Sequence, residues 1–259
     1  MSGYARFDRL TRDELRDLAP AATVLVPLGA TEQHGHHLPT GTDTAIVSAL
    51  AEHAATLAAV EIPVVLAPAL PFGFSHHHRP LGGAISIGLH TYGEVLADVA
   101  ESLADVGFRR VFFLNGHGGN DAPIRAVGDR VLYERGLDVH VAATSYWICA
   151  AGALDAFRAE VGPVPGHAGS FETACLLALD DALVRHNRLP APESEVQPLA
   201  RDDVPGVVVR RPGLWEESDG RSDDADRASR ELGDRALAAI ARCVADALVA
   251  FHRSTPKGA

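Results

Sequence analysis

The sequence lacks an apolar run long enough to cross a bilayer, and it contains few cysteines. A membrane-spanning helix needs about 20 consecutive apolar residues, and none of the segments in the 259 residues approaches that length. The N-terminus lacks the basic stretch followed by an apolar one that marks a secretory signal, so we expect a cytoplasmic protein. Three cysteines, Cys149, Cys175 and Cys243, stand far apart in mostly apolar contexts. They indicate buried thiols and exclude a disulfide framework.

The sequence also lacks an excess of basic residues. Its 23 Lys and Arg face 34 Asp and Glu, which gives a formal net charge of -11. A protein of this sign repels the phosphate backbone and anionic lipid headgroups, so we predict neither nucleic acid nor a membrane as a partner. A chain of this length can bury one large core, and we predict a single domain over residues 1–259.

Strand-like and helix-like segments alternate along the chain. Strands are predicted at residues 24–28, 64–67, 111–114 and 139–143. Helices are predicted at residues 11–17, 43–57, 92–106, 122–135, 171–179 and 224–251. The alternation is typical of an α/β fold in which helices cover both faces of a mostly parallel sheet. Residues 189–223 combine five prolines with many charges, so we expect an excursion from the domain with a short hairpin near 206–211.

Side chains that bind metals follow the first predicted interior strand. Glu32 and His34 come shortly after that strand, and Asp43 stands at the start of the next predicted helix. In open α/β sheets, ligands bind at the carboxyl ends of the strands. The segment therefore predicts a site at that edge of the sheet.

A second loop carries a histidine among glycines. The strand at 111–114 runs into the sequence Asn-Gly-His-Gly-Gly-Asn at residues 115–120, where glycine lets backbone and imidazole approach a site closely. A phosphate cradle at a helix N-terminus is the alternative. The Walker pattern and its lysine are absent, so His117 favours a cation.

Histidines concentrate in two short loops. Six of the thirteen lie at residues 34–37 and 76–78. Direct substrate contact and ordinary packing both stay open for four of them, His36, His37, His76 and His77. Ordinary packing or solvation is expected for five others, His53, His90, His140, His186 and His252. A bound metal needs three or four converging ligands, so only residues from separate strand ends qualify as ligands.

Four separated motifs together resemble the creatininase family of metal-dependent amidohydrolases. They are Leu-Gly-Ala-Thr-Glu-Gln-His-Gly at 28–35, Asp43, the glycine-rich loop at 115–120, and His167-x-Gly-x-x-Glu172-Thr173. The resemblance covers about residues 20 to 180. It implies a three-layer α/β sandwich, a dinuclear metal centre and a homo-oligomer, often a hexamer.

The resemblance also implies a ligand set. Glu32, Asp43 and His117 would hold one divalent ion, while His34 and Asp43 would hold the other, so Asp43 would bridge the two ions. Histidine and carboxylate ligands without cysteine suit Zn, Mn or Fe, and the sequence does not choose among them. Two such ions polarise an amide carbonyl and lower the pKa of a shared water.

Other residues take roles around that centre. His167 is predicted to give a proton to the departing amine, with a loop-capping role as the alternative. Glu172 would orient His167 or complete the shell of the second metal. The remaining positions fall where the family lines its substrate pocket: Ser75, His78, Ser86 and Gly118.

One position departs from the creatininase pattern. Creatininases carry a glutamate ligand of the second metal where this chain has Gly119, and a substrate-contacting aromatic where it has Gly118. We therefore expect Glu172 to supply the missing carboxylate, and a glutamate placed at position 119 to substitute for it. The Gly-Gly form occurs in relatives that act on other amides, including formamide hydrolases of flavin and deazaflavin biosynthesis and the peptidase of mycofactocin maturation.

The sequence thus predicts a hydrolase of a C–N amide bond in a small cyclic amide, lactam or formamide. The alternative is a peptidase that removes a short C-terminal fragment from a small peptide precursor. Outside the enzymes, the alternative is a non-catalytic metal- or nucleotide-binding protein. A metal-buffering tract is usually a contiguous histidine run, whereas the predicted ligands here come from separate strand ends.

Overall fold

A parallel five-stranded sheet forms the centre of the molecule. The computed structural model describes residues 3–190 and 210–255. The strands are β1 (Ala5–Arg6), β2 (Thr23–Leu28), β3 (Val64–Leu66), β4 (Arg110–Asn115) and β5 (His140–Ser145). They lie in the order β1-β3-β2-β4-β5 and every pair is parallel. The predicted α/β class is confirmed, and only the two-residue edge strand β1 was too short to show a pattern.

Nine α-helices surround the sheet in the described ranges. They are α1 (Arg12–Leu18), α2 (Thr42–Ala58), α3 (Leu89–Val106), α4 (Asp121–Asp129), α5 (Tyr146–Cys149), α6 (Ala151–Val161), α7 (Ser170–Leu179), α8 (Leu214–Glu217) and α9 (Arg230–Ser254). None of these helices is long and apolar enough to cross a membrane.

Most helix predictions match the observed elements, and the differences have local causes. The last helix begins at Arg230 and not at 224, because the Ser229 side chain caps it by accepting from the backbone N–H of Leu232. The helix predicted at 122–135 ends as α4 at Asp129 and continues as a π-helical turn over Arg130–Glu134. Of the hairpin predicted near 206–211, residues 206–209 lie outside the described residues, and residues 210 and 211 form no strand.

The sheet separates two apolar cores. One face packs against α2, α7 and α9, and the other packs against α1, α3 and α4. Strands β2 and β4 are buried along their whole length, as expected for interior parallel strands. This gives the predicted three layers.

The register of the central strands decides where the site forms. Leu28 at the end of β2 pairs with Asn115 at the end of β4, so the loops that follow emerge side by side. The first loop carries Glu32 and His34, and the second carries His117. Helix α2 begins beside them, which places Asp43 in its first turn.

Candidate metal centre

Three of the predicted ligands meet directly at the ends of β2 and β4. His117 Nδ1 lies 3.3 Å from Glu32 Oε1 and 3.1 Å from Asp43 Oδ2. All three side chains are buried. The structure therefore brings together the set that the family resemblance assigned to one ion.

A second group shares Asp43 with the first. His34 Nε2 lies 3.2 Å from the other oxygen of Asp43, Oδ1, and 3.7 Å from Glu172 Oε2. Asp43 thus presents one oxygen to each group, which is the geometry that a bridging carboxylate needs. Glu172 reaches this group from the first turn of α7.

Buried oxygen atoms in the cluster have no hydrogen-bond donor among the described residues. They are both carboxylate oxygens of Glu32 and Oδ2 of Asp43. Histidine nitrogens lie 3.1 to 3.3 Å from Asp43 Oδ2 and Glu32 Oε1 without a well-aligned hydrogen bond, and a buried carboxylate oxygen that is left unsatisfied is destabilising. A divalent cation would satisfy these oxygens, and donor atoms of His34, Asp43 and Glu172 all lie within 4.8 Å of one another. The chemistry of the donor set therefore fits metal ions.

The carboxylates of the cluster favour the protonated form of two histidines. Burial opposes a charge on His34, but the carboxylates of Asp43 and Glu172 outweigh it and raise the pKa of His34 well above its ordinary value. Burial opposes a charge on His117 in the same way, and Glu32 and Asp43 raise its pKa well above the ordinary value.

Backbone carbonyls orient both histidines toward the cluster. His34 Nδ1 lies 3.1 Å from the carbonyl oxygen of Glu32, and His117 Nε2 lies 3.1 Å from that of Phe74. An N–H on each of these atoms donates to the carbonyl, which leaves the opposite ring nitrogen facing the carboxylates. Metal-binding histidines commonly have such an outer partner.

His167 and His78 stand over the same centre. Their rings stack with centroids 4.4 Å apart, and His167 also packs against His34 at 4.3 Å. His167 Nδ1 lies 3.6 Å and His78 Nε2 3.3 Å from Glu32 Oε1. Burial, reinforced by His34, lowers the pKa of His167 well below its ordinary value. A neutral His167 therefore faces the carboxylates.

Glu172 makes contacts relevant to both of its predicted roles. Its Oε2 accepts a 2.6 Å hydrogen bond from the backbone N–H of Ala168 and faces His34. The first contact holds the loop of His167, and the second places the carboxylate at the second metal group. Burial raises the pKa of Glu172 above its ordinary value.

The predicted substrate contacts occupy different positions around the cluster. Ser75 is fully buried, and its hydroxyl lies 3.2 Å from His117 Nε2. The Ser86 hydroxyl accepts from the backbone N–H of Ser75 and lies 2.6 Å from His76 Nδ1. Gly118 is exposed at the rim. Substrate contact by these residues stays a prediction, since their observed bonds shape the loop beside His117.

The backbone at Gly119 contradicts the expectation that a glutamate there could replace Glu172. A Cβ at Gly119 would collide with the carbonyl oxygen of Phe74 and with the ring of His117. The carbonyl belongs to the backbone and cannot rotate away as a side chain could. The substitution would therefore displace His117 and not add a ligand.

The sequence analysis missed a segment that lies over the centre. Residues 213–223, named here the cover segment, contain α8 and Trp215. The Trp215 ring lies 4.2 Å from His78, 4.9 Å from His167 and 5.6 Å from His77, between centroids. A tryptophan within a charged, proline-rich excursion was the available signal, because such a stretch rarely needs a large aromatic for its own packing.

The chain also resembles known proteins in sequence and in structure. The family model described as creatininase, creatinine amidohydrolase, matches residues 8–248. The chain belongs to the creatininase family. This confirms the family resemblance found in the sequence.

Individual relatives within the family differ in activity. The chain is 38% identical over 185 residues to a mycofactocin precursor peptide peptidase of Mycobacterium tuberculosis, covering 69% of this chain and 66%, just under two thirds, of that protein. A protein of the same name from Mycobacterium ulcerans is 33% identical over 85% of each chain. Among solved structures, a creatininase mutant described as the Zn-Zn type superposes with a TM-score of 0.78 at 27% identity, over 94% of this chain and 96% of that one.

Proposed function

We propose that the protein is a two-metal hydrolase that cleaves an amide bond in a short peptide precursor. The single observation that carries the catalytic part is the buried cluster in which Asp43 gives one oxygen to the Glu32–His117 group and the other to the His34–Glu172 group. The peptide substrate is supported by the relatives named as peptidases, which are more similar in sequence than the creatininase structure.

The proposed ligands divide the centre into two positions. Glu32, Asp43 and His117 would hold one ion, and His34, Asp43 and Glu172 would hold the other. Zn, Mn and Fe all suit these donors, and two such ions would supply polarisation of the scissile carbonyl and a lowered pKa for a water.

His167 is the residue proposed to move the proton. Its Nε2 lies 2.9 Å from the carbonyl oxygen of Gln33, to which it donates, so its bare Nδ1 faces the centre. From this state His167 accepts a proton at Nδ1 from the attacking water and then delivers it to the departing amine nitrogen. Its neutral resting state suits this order of events, because only a neutral imidazole can first act as a base.

The aromatic cover supports a substrate larger than creatinine. Gly118 leaves no side chain at the position where the family resemblance expects a substrate-contacting aromatic, while Trp215 contributes a ring from another segment. A small cyclic amide, lactam or formamide is the second candidate substrate. It is favoured by the match to creatininase structures over nearly the whole chain.

Hydrolysis of a substrate panel tests the proposal. The purified protein, reconstituted with Zn or Mn, is incubated in ¹⁸O-water with short synthetic peptides, lactams, formamides and creatinine, and products are identified by mass spectrometry. We expect cleavage near the peptide C-terminus with one ¹⁸O in the new carboxylate, and none with Asp43→Ala. Turnover of formamides or lactams but of no peptide would transfer the proposal to the second candidate. No turnover of any amide by fully metallated protein would contradict it.

A homo-oligomer stays a prediction, and sedimentation of the metal-loaded protein measures it.

A further inference from the structure

Gln33 lies between Glu32 and His34, and its backbone carbonyl accepts from His167, yet neither the ligand set nor the proton transfer uses its side chain. Its side-chain amide has four polar neighbours. Oε1 accepts a 2.9 Å hydrogen bond from the backbone N–H of Gly35, and Nε2 donates a 2.9 Å bond to the carbonyl oxygen of Gly220 in the cover segment. His78 Nδ1 and His167 Nε2 lie 2.8 Å and 3.1 Å from the same Nε2.

The two backbone partners fix which end of the amide is nitrogen. A flipped amide would place Oε1 against the Gly220 carbonyl and Nε2 against the Gly35 N–H, and both contacts would be repulsive. Gly220 makes the approach possible, since it has a positive φ of 71° and a Cβ there would collide with the Gln33 amide. The nitrogen of Gln33 is thus held toward the two histidines.

An amide nitrogen carries two hydrogens and accepts none. One hydrogen goes to Gly220, so the other is available to His78 Nδ1, the nearer histidine nitrogen. His78 Nδ1 must then be the bare nitrogen, and the His78 proton lies on Nε2, which faces Glu32. His167 Nε2 cannot accept the amide hydrogen as well, because it carries a proton that it donates to the backbone carbonyl oxygen of Gln33. The bare nitrogen of His167 is therefore Nδ1.

We infer that Gln33 is a positioning residue that assigns opposite tautomers to the two stacked histidines above the centre, a proton donor at His78 Nε2 and a proton acceptor at His167 Nδ1. The inference rests on the proposed function, because it gives His78 the task of donating to the carbonyl oxygen of the substrate, while His167 takes the proton of the water. Gln33 also joins this histidine pair to the cover segment, because its amide donates to the carbonyl oxygen of Gly220. The same side chain therefore contacts both the histidines and the segment that contains Trp215.

Nitrogen NMR reads the tautomers directly and needs no turnover. In Zn-loaded protein with ¹⁵N-labelled histidine, we expect the His78 signals to show a bare Nδ1 and a protonated Nε2, and those of His167 the reverse. Signals are assigned by their loss in His78→Gln and His167→Gln. Gln33→Glu replaces the donor by an acceptor, so the proton of His78 should move to Nδ1, or His78 should carry both protons. Gln33→Met removes the donor and keeps the length, so His78 should show a mixture of tautomers.

Ser222→Ala is the matched control. In the wild type, the Ser222 hydroxyl accepts from the backbone N–H of His167 and anchors the same cover segment without touching the Gln33 amide. We expect the tautomers in this variant to match those of the wild type. An unchanged His78 signal in Gln33→Glu, in protein with the wild-type metal content, would overturn the inference. So would an equal shift in Ser222→Ala, which would assign the effect to loosening of the cover. Either result leaves the hydrolysis panel, and thus the proposed function, to be judged separately.

Discussion

The floor and the cover of the centre are built by different means. The floor consists of Glu32, His34, Asp43 and His117, which stand at the ends of buried strands and in the first turn of a long helix. Their positions follow from the sheet register. The cover segment, residues 213–223, is attached mainly through loop contacts: one hydrogen bond from Gln33, a pair of bonds between Ser222 and His167, and one from the backbone N–H of Ser170 to Asp223. We infer that the floor determines whether the metals bind, while the cover determines which substrate is used.

Removal of the shared floor residue should have the largest effect. Asp43→Ala deletes the carboxylate whose two oxygens face the two groups, one oxygen each, so we expect both ions to be lost and turnover to vanish. Even outer-shell changes cost about 10- to 100-fold in metal affinity, and a bridging ligand should cost more. Elemental analysis measures the ions, and circular dichroism checks the fold. The exposed Asp105→Ala is the control, and full occupancy in Asp43→Ala would refute the bridging role.

The His167→Ala variant tests whether His167, in the loop between the floor and the cover, transfers the proton during hydrolysis. In His167→Ala we expect the ions to stay and kcat to fall about 10²- to 10⁴-fold, as for loss of a proton-transfer group. Elemental analysis and kcat are measured on one preparation. Loss of an ion would make His167 a ligand, consistent with its 3.6 Å distance from Glu32. An unchanged kcat would reduce it to a structural residue.

Glu172 tests whether the two metal positions are independent. Glu172→Ala removes a carboxylate from one group only, so we expect one ion to be lost and the ion at Glu32, Asp43 and His117 to remain. Adding Gly119→Glu should not restore the second ion, because a Cβ there would collide with the Phe74 backbone. Two ions in Glu172→Ala would make Glu172 a support for the His167 loop, and two ions only in the double variant would show that this backbone can move.

The thermal stability of protein prepared without metal should depend on pH differently from that of metal-loaded protein. The raised pKa values of His34 and His117 stabilise the metal-free fold when these groups are protonated, and that contribution is lost as pH rises through the folded pKa values above about 6.5. Metal binding must displace the same protons, so it strengthens over the same range. We therefore expect the difference in Tm between loaded and metal-free protein to widen from pH 7 to pH 9, measured by calorimetry. A constant difference would contradict proton–metal competition.

Substitution of Trp215 changes the cover segment alone, and we expect it to have the smallest effect on activity. Trp215→Ala removes the ring beside His78 and His167, so we expect unchanged metal content and a KM raised about 10-fold, the scale of lost apolar pocket contacts. Trp215→Phe keeps an aromatic ring and should recover most of the loss. Depletion of metal in Trp215→Ala would show that the cover also supports the floor.

Much of the fold and the floor could be predicted from sequence because both depend on local patterns. Apolar runs mark β2 and β4, and residues such as Glu32 and His117 must emerge where those strands end. The cover could not be predicted this way, since Trp215 reaches the centre through contacts with His167, His78 and His77, which are 48 to 138 positions away in the sequence. The obstacle at Gly119 was equally hidden, because it depends on where the Phe74 backbone runs.

The crowding at Gly119 has an evolutionary consequence. In this chain, a codon change at position 119 does not lead toward a creatininase-type metal shell, since the loop holding Phe74 would have to shift first. The two ligand arrangements are thus separated by an epistatic barrier in which a neutral loop rearrangement must precede the catalytic substitution. Laboratory evolution toward creatinine should accordingly accumulate changes around residues 72–75 before any acid appears at 119.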